Sequence, residues 1–87
     1  MRTYIAYLPR YGNFLCKLKF DEVARRDDTD VVQVQAENLE HVFALLNHGS
    51  GQELDGYMGR SLSVGDFVVD STGRAWLCDS FGWVKAS

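Results

Sequence analysis

GRSLSVGDFVVD, residues 59–70, decides how the C-terminal half of the chain is read. Gly65-Asp66 joins a residue free to take positive φ to one whose carboxylate can bond nearby main-chain groups, so the pair predicts a turn. Phe67-Val68-Val69 then begins a strand. Beyond it, DSTG at 70–73 is a hairpin turn between FVV and RAWLC, and Asp79-Ser80 opens a last pairing with FGWV. The C-terminal third is therefore expected to form a β-meander. Arg60 carries a fork of donors that suits two tasks: clamping this turn, through carbonyls or through Asp66 or Asp79, or touching a partner.

Working back from that stretch, NLEHVFALLNHG predicts a helix over 39–48. Leu39, Val42, Phe43 and Leu46 form its apolar stripe, Asn38 is its N-cap and Gly49 its stop. GSGQELDGYMG between helix and turn reads as a loop, expected to be the most mobile segment and to expose Tyr57 and Met58. VVQVQA alternates Val32, Val34 and Ala36 against Gln33 and Gln35, the period of a half-buried strand. Asp21 can cap a short helical turn through Arg26 that buries Phe20, Val23 and Ala24, and RRDDTD after it reads as a solvated loop. At the N-terminus, TYIAYL predicts a strand that stops at Pro9 and suits a sheet edge. FLCKLKF, with Phe14, Cys16, Leu18 and Phe20 on one face, predicts its hairpin partner across Tyr11-Gly12-Asn13. Together these readings give an α+β fold in a single domain over 1–87. It has a small antiparallel sheet of four to six strands packed against one main helix.

Size and composition set limits. A chain of 87 residues buries only about 60–65% of its unfolded surface, which leaves little room for a large cleft. Hydrophobic residues make up 46% and charged residues 24%, the balance of a globular chain. No apolar run approaches the roughly 18 residues that span a bilayer. TYIAYL is too short for a signal-peptide core, so a cytoplasmic location is expected. Cys16 and Cys78 lack CxxC spacing and read as buried free thiols. The net charge is −3, unevenly placed. Arg2, Arg10, Lys17 and Lys19 stand in the first twenty residues without an acid, whereas residues 21–40 are strongly acidic.

The strings LEHVFALLN, GYMGRSLSVGDFVV and AWLCDSFGWVKA resemble the C-terminal pattern of YodL-like domains, which are small domains of bacterial, phage and conjugative-element proteins. The shared elements are Leu39, Glu40 and Phe43, then Gly59 through Asp66, then Asp79, Ser80 and Gly82, with Trp83 in place of the last aromatic. The resemblance covers roughly the last 50 residues, and its turn string is far more specific than a lone glycine motif. It implies origin on a mobile element and an accessory role, and it implies no particular catalytic activity.

No reaction is announced by the residues themselves. His41 and His48 lie about 10 Å apart along one helix, too far to share a metal. DDTD lacks the glycine and distal glutamate of a calcium loop, and GRSLS lacks the lysine step of a phosphate loop. Neither a catalytic residue, a metal ligand nor a cofactor is expected. Two Trp, four Tyr and five Phe exceed what so small a core needs, which favours protein binding. The expected contact residues are Arg10, Tyr11, Lys17, Lys19, Tyr57, Arg60, Trp76 and Trp83. The expectation is a non-enzymatic accessory protein that binds a host protein complex, of the anti-CRISPR or antirestriction inhibitor type. The alternatives are a nucleic-acid-binding module using the basic N-terminal hairpin, and a small hydrolase using Cys16 or Cys78.

Overall fold

RTYIAYLP forms β1 (Arg2–Pro9), and its alternation is real: Tyr4, Ala6 and Leu8 are buried on one face while Ile5 and Tyr7 are half-buried on the other. The computed structural model describes residues 1–86. Six further elements follow: α1 (Phe20–Arg25), β2 (Thr29–Ala36), α2 (Leu39–Leu45), β3 (Phe67–Val69), β4 (Ala75–Asp79) and β5 (Gly82–Lys85). The five strands make one sheet in the order β2-β1-β3-β4-β5, and every neighbouring pair is antiparallel. The fold is thus α+β, with β3, β4 and β5 forming the expected meander.

Several local expectations fail for structural reasons. FLCKLKF is not a strand, and the partners of β1 are β2 and β3. The Asn13 side chain accepts from Leu18 N at 3.1 Å and donates to Leu18 O at 3.2 Å, which folds 13–18 into a loop and turns Phe14 and Leu15 outward. β1 is therefore central, not an edge. Pro9 is tolerated because the β1–β3 ladder ends at Tyr7–Phe67, so its missing N–H interrupts no bond there.

α1 stands where a short helical turn is expected, and α2, at seven residues, is only one residue longer than α1. α2 ends at Leu45 with Leu46 as its C-cap, because Asn47 N turns to Ala44 O at 3.4 Å and His48 N to Ser61 Oγ at 2.8 Å in place of the carbonyls four residues back, while the carbonyls of Leu45 and Leu46 are taken by Leu54 N and Leu62 N, 2.7 and 2.8 Å away. Phe43 leaves the stripe and is exposed. Asn38 caps as expected, accepting from His41 N at 2.8 Å. In α1 the N-cap is Lys19, whose N–H donates to Glu22 at 3.0 Å; Asp21 lies in the first turn and Ala24 is exposed.

The two helices sit on opposite faces of the sheet. Val42 and Leu46 of α2 join Tyr4, Ala6, Leu8, Val34, Ala36, Leu62, Val68 and Cys78 in the principal core. On the other face, Phe20 packs edge-on against Tyr7 and Phe67 at centroid distances of 5.2 and 5.6 Å. Val23 beside it is fully buried.

Gly65 is the position where glycine is indispensable. It is buried, takes φ of 95°, and a Cβ there would overlap the backbone carbonyl of Asn13. Gly49 has a similar φ of 90° but open space around it. Gly65→Ala is therefore expected to lose about 2–4 kcal/mol in urea unfolding, while Gly49→Ala loses only about 1 kcal/mol, the steric cost of positive φ alone. Equal losses would remove the contact as the cause.

Candidate protein-binding surface

The stretch between Gly59 and Asp66 is organised by one ion pair. Asp66 is 0% exposed, and Arg60 grips it through both oxygens, Nη2 to Oδ1 at 2.6 Å and Nη1 to Oδ2 at 2.9 Å. The same guanidinium donates to Pro9 O (Nη2, 2.6 Å) and to Ser61 O (Nη1, 3.0 Å). Ser63 N donates to Asp66 Oδ2 at 2.8 Å. Burial raises the Asp66 carboxyl above the usual carboxylate range, and the bonds from Arg60 and Ser63 offset only part of that rise. Arg60 therefore faces inward as a clamp, with Asp66 rather than Asp79 as its mate.

A second network continues from the clamp across one end of the sheet. Asn13 Nδ2 donates to Gly65 O at 3.1 Å, and Gly65 N donates to Cys78 O at 2.8 Å. The Tyr57 hydroxyl donates to Arg60 O at 2.6 Å. Phe81 N donates to Asp79 Oδ1 at 2.8 Å, closing the turn between β4 and β5. The loop after β1, the segment leading into β3 and the β4–β5 turn are thereby fixed at the same end of the molecule. Tyr11, Phe14, Leu15, Met58 and Phe81 stand there, between 60% and 98% exposed. Lys17 and Lys19 are exposed on the same loop, and Arg10 pairs at the surface with Asp30 at 3.2 Å. An open groove of about 610 Å³ runs from this loop along the sheet face, lined by Cys16, Leu18, Phe20, Phe67, Leu77 and Ala86. The exposed Val84, paired with Leu77, extends its apolar wall.

Of the eight contact residues expected from sequence, Arg10, Tyr11, Lys17 and Lys19 lie on this end and reach solvent. The other four are occupied elsewhere. Tyr57 is half-buried, not exposed, and its ring stacks on His48 at 5.4 Å. Trp76 donates its indole N–H to Asp70 Oδ2 at 2.9 Å, and Trp83 packs on the principal core. Phe14, Leu15, Met58 and Phe81 were not among the expected contacts. The alternation of FLCKLKF predicts an inward Phe14, and FGWV predicts a strand that includes Phe81, whereas Phe14 is exposed on a loop and Phe81 occupies the turn before β5.

The cations do not form one strip, since Arg2 and Arg10 stand at opposite ends of β1. Cys78 is buried, its thiol pushed up to about 11 by burial and by the charges of Asp66 and Asp79. Cys16 is only half-buried, contrary to its reading as core, and lines the groove. Both histidine rings are engaged: His41 Nδ1 accepts from Glu37 N at 2.9 Å, and His48 Nε2 meets Gly59 O. Among the described residues no group of three or more His, Cys, Asp or Glu could hold a metal, and no helix is long and apolar enough to cross a membrane. No protein-family model, curated protein or solved structure matches the chain.

Asp70 anchors the opposite end. Its Oδ1 accepts from Thr72 Oγ1 at 2.6 Å, Thr72 N at 2.9 Å and Arg74 N at 3.0 Å, while Oδ2 takes the Trp76 bond. Partial burial works against its charged form, yet these bonds prevail and hold the carboxyl below the usual carboxylate range.

Two expectations follow from these carboxylates. Arg60→Ala strands a buried charge and should cost about 3 kcal/mol in denaturant unfolding, with the Arg60→Ala/Asp66→Ala double variant costing less than the two single losses added together. Strict additivity would mean that the two groups act independently. Because Asp70 titrates lower in the folded than in the unfolded chain, its contribution is present above the ordinary carboxylate pKa of about 3.9 and fades as pH falls below it. Urea midpoints measured between pH 6 and pH 2 should therefore fall less steeply for Asp70→Asn than for the wild type. Parallel curves would refute that linkage.

Proposed function

We propose that the protein is a small non-enzymatic accessory factor of a phage or mobile element that binds a host protein complex in the bacterial cytoplasm, as an inhibitor of CRISPR or restriction defence. The observation that carries this reading is the end surface. Five large apolar side chains, Tyr11, Phe14, Leu15, Met58 and Phe81, stand exposed on loops whose bases are tied together by buried hydrogen bonds. Scattered apolar residues are ordinary on a surface, but such a group gathered at one end of so small a domain is the composition of an interface centre. Lys17 and Lys19 beside it favour a partner whose matching face is acidic. The YodL-like resemblance of residues 39–86 supports the mobile-element origin.

The test is affinity capture from host lysate, comparing the wild type with a Phe14→Ser/Phe81→Ser variant. Both side chains are largely solvent-exposed, so the variant should keep the wild-type circular dichroism spectrum. The wild type should retain a stoichiometric protein partner, and the variant should bind it at least tenfold more weakly, the loss of two anchors each worth about 1–2 kcal/mol. A wild type that retains no stoichiometric partner, or a partner held equally by both, would sink the proposal.

A further inference from the structure

We propose that two copies of the chain pair through the outer edge of β2, extending the sheet to ten strands across a two-fold axis at Gln33. This inference stands independently of the partner-binding reading. β2 is a terminal strand of the sheet and, at eight residues, the longer of its two edges. It pairs with β1 along its whole length without a bulge, and it contains neither proline nor lysine, the usual blocks to further pairing. The other edge, β5, is four residues long and carries Lys85.

The direction of its free groups follows from the ladder. Arg10 N donates to Asp28 O at 2.8 Å, so the even-numbered residues of β2 turn their backbone groups toward β1 and the odd-numbered ones turn theirs outward. The outward N–H groups at both flanks are closed internally. Thr29 N donates to Arg26 O at 3.4 Å, and Glu37 N donates to His41 Nδ1 at 2.9 Å. Among the described residues, nothing bonds the outward N–H and C=O of Val31, Gln33 and Gln35.

That open set is symmetric about Gln33, which selects its occupant. An antiparallel second copy centred there pairs Gln33 with Gln33 of the second copy and Val31 with Gln35 of the second copy, and so matches every outward N–H and C=O of Val31, Gln33 and Gln35. On the core-side face, the half-buried Val32 meets Val34 of the second copy, so the apolar layer continues across the axis. No like charges oppose in this register. Sliding the pairing one step either way breaks the match and brings Asp27 toward Glu37, or Asp28 toward Glu40, of the other copy.

Sedimentation velocity between about 1 µM and 1 mM should show a concentration-dependent monomer–dimer equilibrium. Gln33→Lys sets two like charges face to face at the axis while leaving an exposed edge residue in each monomer, so it should raise the dimer dissociation constant at least tenfold with an unchanged circular dichroism spectrum. Gln33→Cys should form a covalent dimer under mild oxidation that the wild type, with Cys16 and Cys78 alone, does not. A wild type that stays monomeric throughout overturns the proposal, as does a Gln33→Lys variant that dimerises like the wild type. Failure of Gln33→Cys to cross-link would place any dimer contact elsewhere and overturn it equally.

Discussion

The buried Asp66 carboxylate is the constraint around which the rest of the structure is arranged. A fully desolvated charge survives only when matched, and Arg60 matches it in two bonds while reaching Pro9 O with the same guanidinium. Two distant pieces of chain therefore meet at one cation: the end of β1 and the 59–66 stretch that leads into β3. The connection from α2 to β3 is long and the β1–β3 ladder only three pairs long, so the clamp adds to the bonds of Leu62 N to Leu46 O and Gly65 N to Cys78 O in fixing where β3 starts beside β1. Desolvation opposes the pair, so its contribution is to alignment more than to net stability.

Gly65 and Asn13 show how closely the neighbouring pieces depend on that fixture. Asn13 is buried, and each atom of its amide is used, holding its own loop and reaching Gly65 O. Its carbonyl occupies the space where any Cβ at residue 65 would lie. Displacing Asp66 would move Gly65 and release the loop that carries Tyr11, Phe14 and Leu15. The exposed apolar surface is thus held by buried polar contacts, which lowers the ordering cost of binding.

What sequence reasoning recovered was local. The Asn38 cap and the DSTG turn depend on bonds within a few residues, the VVQVQA alternation on a period written in the strand itself, and each stands in the structure. FLCKLKF failed instructively. Cys16, Leu18 and Phe20 do alternate half-buried against exposed neighbours, but it is a groove wall and a helix start that half-bury them, with no partner strand. A period of two reports alternating burial and says nothing of what does the burying. The interior place of β1 and the short α2 depend on bonds outside their own segments, to β2 and β3 for the one and to Leu54, Ser61 and Leu62 for the other, beyond any local pattern. The site was half legible for the same reason. Exposed Lys17 and Lys19 could be read from charge, whereas Trp76 and Trp83, chosen for their residue type, are taken by Asp70 and the core.

The symmetry of the proposed β2 pairing bears on how the end surface would work. Pro9 lies opposite Thr29, so the loops after β1 stand at the start of β2. Antiparallel pairing about Gln33 sets the Thr29 end of one copy beside the Glu37 end of the other, and the two apolar surfaces then point in opposite directions. Their bases are separated by on the order of 25 Å along the joined strands. Such a dimer cannot place both surfaces on one flat epitope. It can bridge two partner molecules, or two repeated sites that face each other across a gap, and in the second case each contact raises the effective concentration of the other. A small area at each end then suffices for firm binding, provided the target itself presents its sites in pairs.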